Sequence, residues 1–267
     1  MKKTPKTLII GNWKMHLNAS QASLLISRLD KHIEAHRDTE IVLATTMLAL
    51  QPASVQIDRR KFRLAAQNAY HKDEGAFTGE VSFNMLRDLV HYVLIGHSER
   101  RIYFKENLEE IRDKVSAAVR NGITPVLCVG ETKTERQAGE TRQVLHDQLV
   151  TAVSGLTPEE VAEMVIAYEP VWAISTFGGD IAKPDIIQKD IYFIRAQVSE
   201  LYGEKVGKKV RILYGGSVDE HSSRAYLELK GCDGVLVGSA SLNYHKFSGI
   251  VESAHRMHKE KDGKKQD

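Results

Sequence analysis

The sequence predicts an α/β protein of one domain, a parallel sheet of eight strands closed into a (β/α)8 barrel. Three observations predict it. Short apolar runs rich in β-branched residues alternate with longer helical patterns along the chain. The first run begins at Thr7 and the eighth at Gly234, an average spacing of about 32 residues, which leaves room for a right-handed helical crossover between parallel neighbours. Polar and glycine-rich clusters follow the first, fourth, sixth, seventh and eighth runs, and only closure of the sheet brings all five to one face. An open, doubly wound sheet would leave its edge strands too far apart to share a site.

The strands are expected at Thr7–Asn12, Glu40–Ala44, Phe62–Ala66, Tyr92–Gly96, Ile123–Val129, Met164–Glu169, Val210–Tyr214 and Gly234–Gly238. Each is apolar nearly throughout, as required of a parallel sheet covered on both faces. The clearest helix opens at Asn107, an N-cap with Glu110 three residues on. It carries Ile111, Val115, Ala118 and Val119 on one stripe and stops at Asn121-Gly122. Thr157-Pro158-Glu159-Glu160 repeats that start with Pro at the first helical position. Further helices are expected over Ser20–Ala35, Glu135–Val153, Asp185–Tyr202, Asp219–Leu229 and Ser248–Met257. No Gly/Ser linker or composition break divides the chain, so the barrel domain is placed at 1–252 and a charged C-terminal tail at 253–267.

The chain has 267 residues, 42% hydrophobic and 27% charged, enough to bury a core without a disulfide or metal staple. Net charge is +2, and the segment Ser253–Asp267 accounts for it, with His255, Arg256, Lys259, Lys261, Lys264 and Lys265 read as keeping the terminus solvated. The neutral body gives no basic surface for nucleic acid. Cys128 and Cys232 make neither a disulfide framework nor a zinc spacing. Leu8-Ile9-Ile10 is too short for a signal-peptide core, and no run approaches a membrane span; a cytoplasmic protein is expected. Asn18-Ala19-Ser20 fits a glycosylation acceptor by accident on that reading.

The clusters carry the chemistry. Lys14, just past a buried strand beside Asn12 and Trp13, reads as a cation at the mouth of the site, against a plain solvated lysine. His97 ends Tyr92-Val93-Leu94-Ile95-Gly96, and Ser98-Glu99 opens a helix whose N-terminus disfavours a second positive charge. A neutral imidazole there can donate a hydrogen bond to a substrate oxygen; a structural histidine is the alternative. Glu169 ends an apolar strand before Pro170, and Val171-Trp172-Ala173-Ile174 is too apolar for an ordinary exposed loop. Such a segment reads as a lid that excludes water, and desolvation makes a carboxylate a stronger base; a subunit contact is the plainer reading. Gly215-Gly216-Ser217 and Gly238-Ser239, after the last two strands, suit a phosphate on backbone amides. No Walker A loop, G-x-G-x-x-G or H-E-x-x-H is present, so no nucleotide, nicotinamide or metal is expected and no cofactor is called for. A carboxylate base, an imidazole, a lysine and a phosphate cradle suit proton abstraction beside a carbonyl in a small phosphorylated sugar.

These residues stand in a recognisable order. The stretches Asn12-Trp13-Lys14, Ala76-Phe77-Thr78-Gly79-Glu80, Gly96-His97-Ser98-Glu99-Arg100-Arg101, Pro125-Val126-Leu127-Cys128-Val129-Gly130-Glu131, Ala167-Tyr168-Glu169-Pro170-Val171-Trp172-Ala173-Ile174 and Ile212-Leu213-Tyr214-Gly215-Gly216-Ser217-Val218 resemble the triosephosphate isomerase family. The likeness runs from about Lys6 to Val251. It implies a TIM barrel and cofactor-free interconversion of dihydroxyacetone phosphate and glyceraldehyde 3-phosphate, a step of glycolysis and gluconeogenesis. It further implies Glu169 as base, His97 as electrophile, Asn12 and Lys14 holding substrate, and Glu99 supporting them. Ser175, Ser217, Gly238 and Ser239 would face the phosphate, Tyr214 and Ser217 would latch a lid of Pro170, Val171, Trp172, Ala173 and Ile174, and Phe77-Thr78-Gly79 would insert into the partner of a homodimer.

The lid departs from the family pattern. Where the family has Gly-Thr-Gly-Lys and a short run to Pro, this chain reads from Ser175 through Thr176-Phe177-Gly178-Gly179 to Pro184, about two residues longer. Ser175 stands where a glycine amide would meet phosphate, and Ser239 replaces the second glycine of a pair. A backbone donor survives such a change only at negative φ, and losing one would cost about 2.7–4 kcal/mol of transition-state stabilisation. Altered closure or weaker phosphate binding is the expectation. An isomerase of another small sugar phosphate, or a silent phosphate-binding barrel, are the readings it competes with.

Overall fold

The computed structural model describes residues 6–179 and 181–263; Met1-Lys2-Lys3 at the start, Asp180 of the expected lid and residues 264–267 of the tail lie outside the described residues. The strands are β1 (Thr7–Asn12), β2 (Thr39–Thr45), β3 (Phe62–Ala66), β4 (Tyr92–Ile95), β5 (Thr124–Val129), β6 (Val165–Tyr168), β7 (Arg211–Tyr214) and β8 (Gly234–Val237). They pair in parallel in chain order, and β8 returns to β1 to close the barrel, with Ile10 level with Val42 on one side and Leu236 on the other.

Both faces of the sheet are buried, for a different reason on each. Leu8, Ile10, Val42, Ala44, Leu94, Val126, Ala167 and Leu213 point inward and fill the barrel. Their neighbours Ile9, Leu43, Leu64, Val93, Leu127 and Ile212 face the helices. This two-sided burial is why the runs read as apolar throughout instead of alternating.

The helices are α1 (Ala19–His32), α2 (Met47–Gln56), α3 (Phe83–Leu86), α4 (Ser98–Tyr103), α5 (Leu108–Arg120), α6 (Lys133–Gln137), α7 (Thr141–Val153), α8 (Pro158–Glu163), α9 (Pro184–Tyr202), α10 (Glu204–Lys209), α11 (Ser223–Leu227) and α12 (Tyr244–Gly263). The capping boxes at Asn107 and Thr157 form as the sequence implies, each cap accepting from the backbone three residues on. The helix expected over Glu135–Val153 is two, α6 and α7, because Gly139 turns the chain at φ 78°. The expected Asp219–Leu229 helix starts late at α11, since Asp219 Oδ1 accepts from the His221 and Ser222 amides and holds a turn. Helix α2 had no sequence signal: it lacks a side-chain cap bond and contains Pro52.

The chain does not leave the fold at Ser253. Helix α12 runs past that point with Ala254 and Met257 buried, continuing the spacing of Ile250 and Val251. His258 Nε2 lies 2.8 Å from Thr7 Oγ1, and His255 Nδ1 lies 3.2 Å from Asp38 Oδ2, so charged residues read as tail are packed against the bottom of the barrel. Among the described residues no helix is long and apolar enough to cross a membrane.

Candidate active site

The strands end at the mouth one residue before several of the expected groups. Gly96, Glu169 and Gly238 each fall just beyond their strand, where the backbone turns and its side chains face the opening. Glu169 is 2% exposed. Its amide donates to Val129 O at 2.7 Å, its Oε1 lies 3.3 Å from His97 Nε2, and the Ser98 amide is 3.5 Å from its Oε2. His97 precedes α4 as its N-cap, and Nδ1 accepts from the Glu99 amide at 3.3 Å. The Glu99 carboxylate, 3.8 Å from Nδ1, is beyond hydrogen-bond reach. Nδ1 therefore carries no proton and the N–H is on Nε2, facing the site.

Asn12 and Lys14 come from the turn after β1. Asn12 is buried, and its Oδ1 accepts from the Lys14 amide at 3.0 Å. Lys14 sits in the left-handed region, φ 51°, a conformation held from two sides because Gln67 Nε2 also donates to Lys14 O at 2.8 Å. The lysine Nζ reaches Glu99 Oε1 at 2.5 Å. Burial pushes the Glu99 carboxyl up, but the Lys14 hydrogen bond and charge, with the Thr176 hydrogen bond, outweigh it and hold the group below its ordinary value.

These side chains share one cavity of about 550 Å³, lined by Asn12, Lys14, His97, Glu169, Ile174, Ser175, Ser217, Gly238 and Ser239. Among non-glycine described residues only Lys14, Leu17 and Lys105 have positive φ, so Ser175 and Ser239 carry no left-handed backbone strain. Ser217 donates from both its amide (3.0 Å) and its hydroxyl (2.8 Å) to Ala173 O of the lid, and its Oγ is 2.8 Å from Ser175 Oγ. Among the described residues Tyr214 makes no hydrogen bond to the lid. Its ring stacks on Tyr226 at 4.1 Å, and it is Tyr226 whose hydroxyl donates to Ala182 O at 3.0 Å where the lid returns to the barrel.

Several residues that shape the site escaped the sequence reading. The lid begins on a buried polar hinge, where Trp172 Nε1 donates to Glu131 Oε1 at 2.8 Å and the Val171 amide donates to Glu131 O. Glu131 is fully buried and pairs with Arg136 at 2.6 Å, while Tyr168 donates to Asp190 at 2.9 Å. Burial, then the Glu131 and Asp190 charges, push the Tyr168 phenol well up. Glu131 lay inside a quoted stretch, but a carboxylate that serves a hinge from a neighbouring strand has no signature of its own. Gly130 and Gly215 leave space for Glu169: a Cβ on the first would meet Glu169 O at 1.9 Å, and on the second Glu169 Cγ at 2.7 Å. Thr176, on the lid, lies 3.2 Å from Lys14 Nζ and 3.3 Å from Glu99 Oε1. Phe77, Thr78 and Gly79 are all exposed, away from the cavity, with the Phe77 ring leaning on Tyr70 at 4.8 Å.

Comparison with known proteins points one way. The family described as triosephosphate isomerase matches residues 7–254. The triosephosphate isomerase of Citrifermentans bemidjiense is 42% identical over 247 residues, 92% of this chain and 98% of that protein. That of Clostridium perfringens is 41% identical over 250 residues, 93% and 99% of the two chains, and that of Alkaliphilus metalliredigens 40% over 247 residues, 92% and 98%. Likeness of this depth, unbroken from the first strand into the last helix, is shared descent: this chain belongs to the triosephosphate isomerase family.

Proposed function

We propose that the protein interconverts dihydroxyacetone phosphate and glyceraldehyde 3-phosphate, and that Glu169 moves the proton. The observation that carries this is the 3.3 Å approach of Glu169 Oε1 to His97 Nε2 in a cavity shared with Lys14. Glu169 takes the proton from the carbon next to the carbonyl. The His97 Nε2–H and the Lys14 ammonium stabilise charge on the carbonyl oxygen as it grows, and Asn12 and Glu99 hold Lys14 in place. The carboxylic acid formed at Glu169 returns the proton to the neighbouring carbon while the hydroxyl proton of the first carbon passes to the former carbonyl oxygen, converting ketose to aldose with no net change at the enzyme. Ser175, Ser217, Gly238 and Ser239 receive the phosphate. Ser217 donates to Ala173 O of the lid and meets Ser175 Oγ, so phosphate competes for these bonds, which supports altered closure or weaker phosphate binding. The apolar lid from Pro170 to Ile174 excludes water, which guards an enediolate phosphate against elimination.

Wild-type protein and Glu169→Gln in a coupled triose phosphate assay test the reading. Loss of about 10²- to 10⁴-fold in kcat with unchanged circular dichroism is expected; equal rates sink it.

A homodimer is part of the proposal. Met15, Leu48, Phe77, Tyr103 and Phe104 are exposed by 39–94%, and they lie after β1, β2, β3 and β4 in turn, on one half of the rim. Sedimentation of a monomer at tens of micromolar would refute it. We place the enzyme in the cytoplasm, where its substrates are made and used.

A further inference from the structure

We propose that Thr176 is a positioning residue for Lys14, so that the lysine is fully oriented only when the lid lies over the site. This deepens the isomerase reading and rests on it. An ammonium has three N–H donors and no acceptor. In this structure one hydrogen goes to Glu99 Oε1 at 2.5 Å and a second to Thr176 Oγ1 at 3.2 Å. The third is left for substrate. The polarity of the triangle closes: the Thr176 hydroxyl accepts from Lys14 and donates its own proton to Glu99 Oε1, 3.3 Å away. With Glu99 alone, the ammonium can turn about its Cε–Nζ bond and swing on its long stem. A second anchor fixes where the remaining N–H points.

That second anchor belongs to the lid. Thr176 is the middle residue of the turn Ser175–Phe177, and both neighbours are tied down. Ser175 Oγ is 2.8 Å from Ser217 Oγ at the end of β7, and the Phe177 ring lies 5.6 Å from the Tyr103 ring of α4. The lid therefore presents Thr176 to Lys14 in one place, and lifting the lid removes it. Charge stabilisation at the carbonyl oxygen is then weaker while the site is open to water, which limits formation of the reactive enediolate to the covered state. Thr176 itself is exposed, so its hydroxyl has no part in holding the core.

The test uses the full chain as wild type, Thr176→Val and Thr176→Ser. The valine variant keeps the shape and loses the hydroxyl. It is expected to lower kcat and kcat/KM together by about tenfold, the pattern of an interaction made in the transition state, while Thr176→Ser restores the rates to within about twofold of wild type. A valine variant with wild-type constants, or a serine variant as slow as valine, overturns the proposal. A second readout needs no turnover: nitrogen-15 relaxation and solvent exchange of the Lys14 ammonium. Ordered, slowly exchanging Nζ hydrogens in wild type that become mobile in Thr176→Val support the link, and identical signals overturn it. Should the wild type fail to isomerise triose phosphates, the functional reading falls, and the ammonium measurement still decides whether Thr176 orients Lys14.

Discussion

Gly215 is the first residue after β7, and a Cβ on it would lie 2.7 Å from Glu169 Cγ and 3.3 Å from Oε1. Its φ is not positive, so alanine is allowed by the backbone and the only conflict is with the base. The carboxylate must move to make room, and a displacement of about 1 Å at a reacting group costs up to about a hundredfold. Gly215→Ala is therefore expected to reduce kcat by about ten- to a hundredfold with little change in the far-UV spectrum; a wild-type kcat would show that Glu169 has slack at this position. The sequence shows Gly215 as part of a glycine pair suited to phosphate, but the volume it leaves for Glu169 has no trace there, because that contribution is missing atoms. The charged groups were legible for the opposite reason. Lys14, His97 and Glu169 interrupt apolar runs at strand ends, and burying a charge or imidazole there needs a reason. Beside Tyr214, the hydroxyl that reaches the returning lid among the described residues is on Tyr226, a residue of α11 with no motif around it.

Among the elements, the lid and α12 depart most from what their sequences suggest. The lid's apolar composition was readable, but its anchoring was not, since Glu131 reaches it from just past β5 with Arg136 of α6 and Asp190 of α9 paired behind, and such long-range polar pairing leaves no periodic trace. Arg136 illustrates the local balance: burial works against its charge, and the Glu131 hydrogen bond with the Asp190 and Glu131 charges more than compensates, holding the guanidinium above its usual range. Helix α12 runs to Gly263, beyond the expected end at Met257, and takes in residues from Ser253 on that read as a solvated tail. Three histidines instead join it to the barrel floor. The His255 ring stacks on His36 at 3.7 Å with planes 21° apart, and His255 also meets Asp38. Burial, then the His255 charge, hold His36 below its ordinary 6.5. Burial pushes Asp38 up, but the His255 and Thr39 hydrogen bonds prevail and hold it low. The signs follow by linkage. Below pH 6.5 the unfolded chain takes a proton at residue 36 more readily than the folded one, so stability falls as the pH drops through that value toward the lower folded one. The Asp38 contribution is complete above its unfolded value of 3.8 and is lost only in stronger acid. Between pH 7.5 and 5.5 the loss at this seam thus belongs to His36. His36→Gln should show a smaller drop in urea midpoint between those two pH values than wild type, and an equal drop would assign the acid sensitivity elsewhere.

For the whole molecule the decisive event is the meeting of β8 with β1, which the sequence disclosed only indirectly. Alternating strands and helices fit an open sheet as well as a barrel, and it was the scatter of polar clusters from Asn12 to Ser239 that required closure. No residue announces the seam itself. It depends on Gly234, where a Cβ would come within 1.8 Å of Leu8 O and 2.7 Å of Leu8 C, both backbone atoms of the facing strand. Backbone cannot yield as a flexible side chain can, so Gly234→Ala must part β8 from β1 or shift one of them along the barrel. Leu8 is fully buried and level with Gly234, so the strain falls where the interior layer of Leu8, Ile10 and Leu236 crosses the seam. Overpacking costs typically 1–3 kcal/mol, and a backbone obstruction belongs at the upper end, about 3 kcal/mol. That is a large share of the 5–15 kcal/mol that folded domains typically possess. The substitution should lower the urea midpoint accordingly. It should also reduce isomerisation in proportion to the fraction unfolded, because Asn12 and Lys14 sit on one side of the seam and Gly238 and Ser239 on the other. An alanine variant with the wild-type midpoint would mean that β1 and β8 can separate at that level without cost, and that the barrel is held closed by its other seven strand pairs alone.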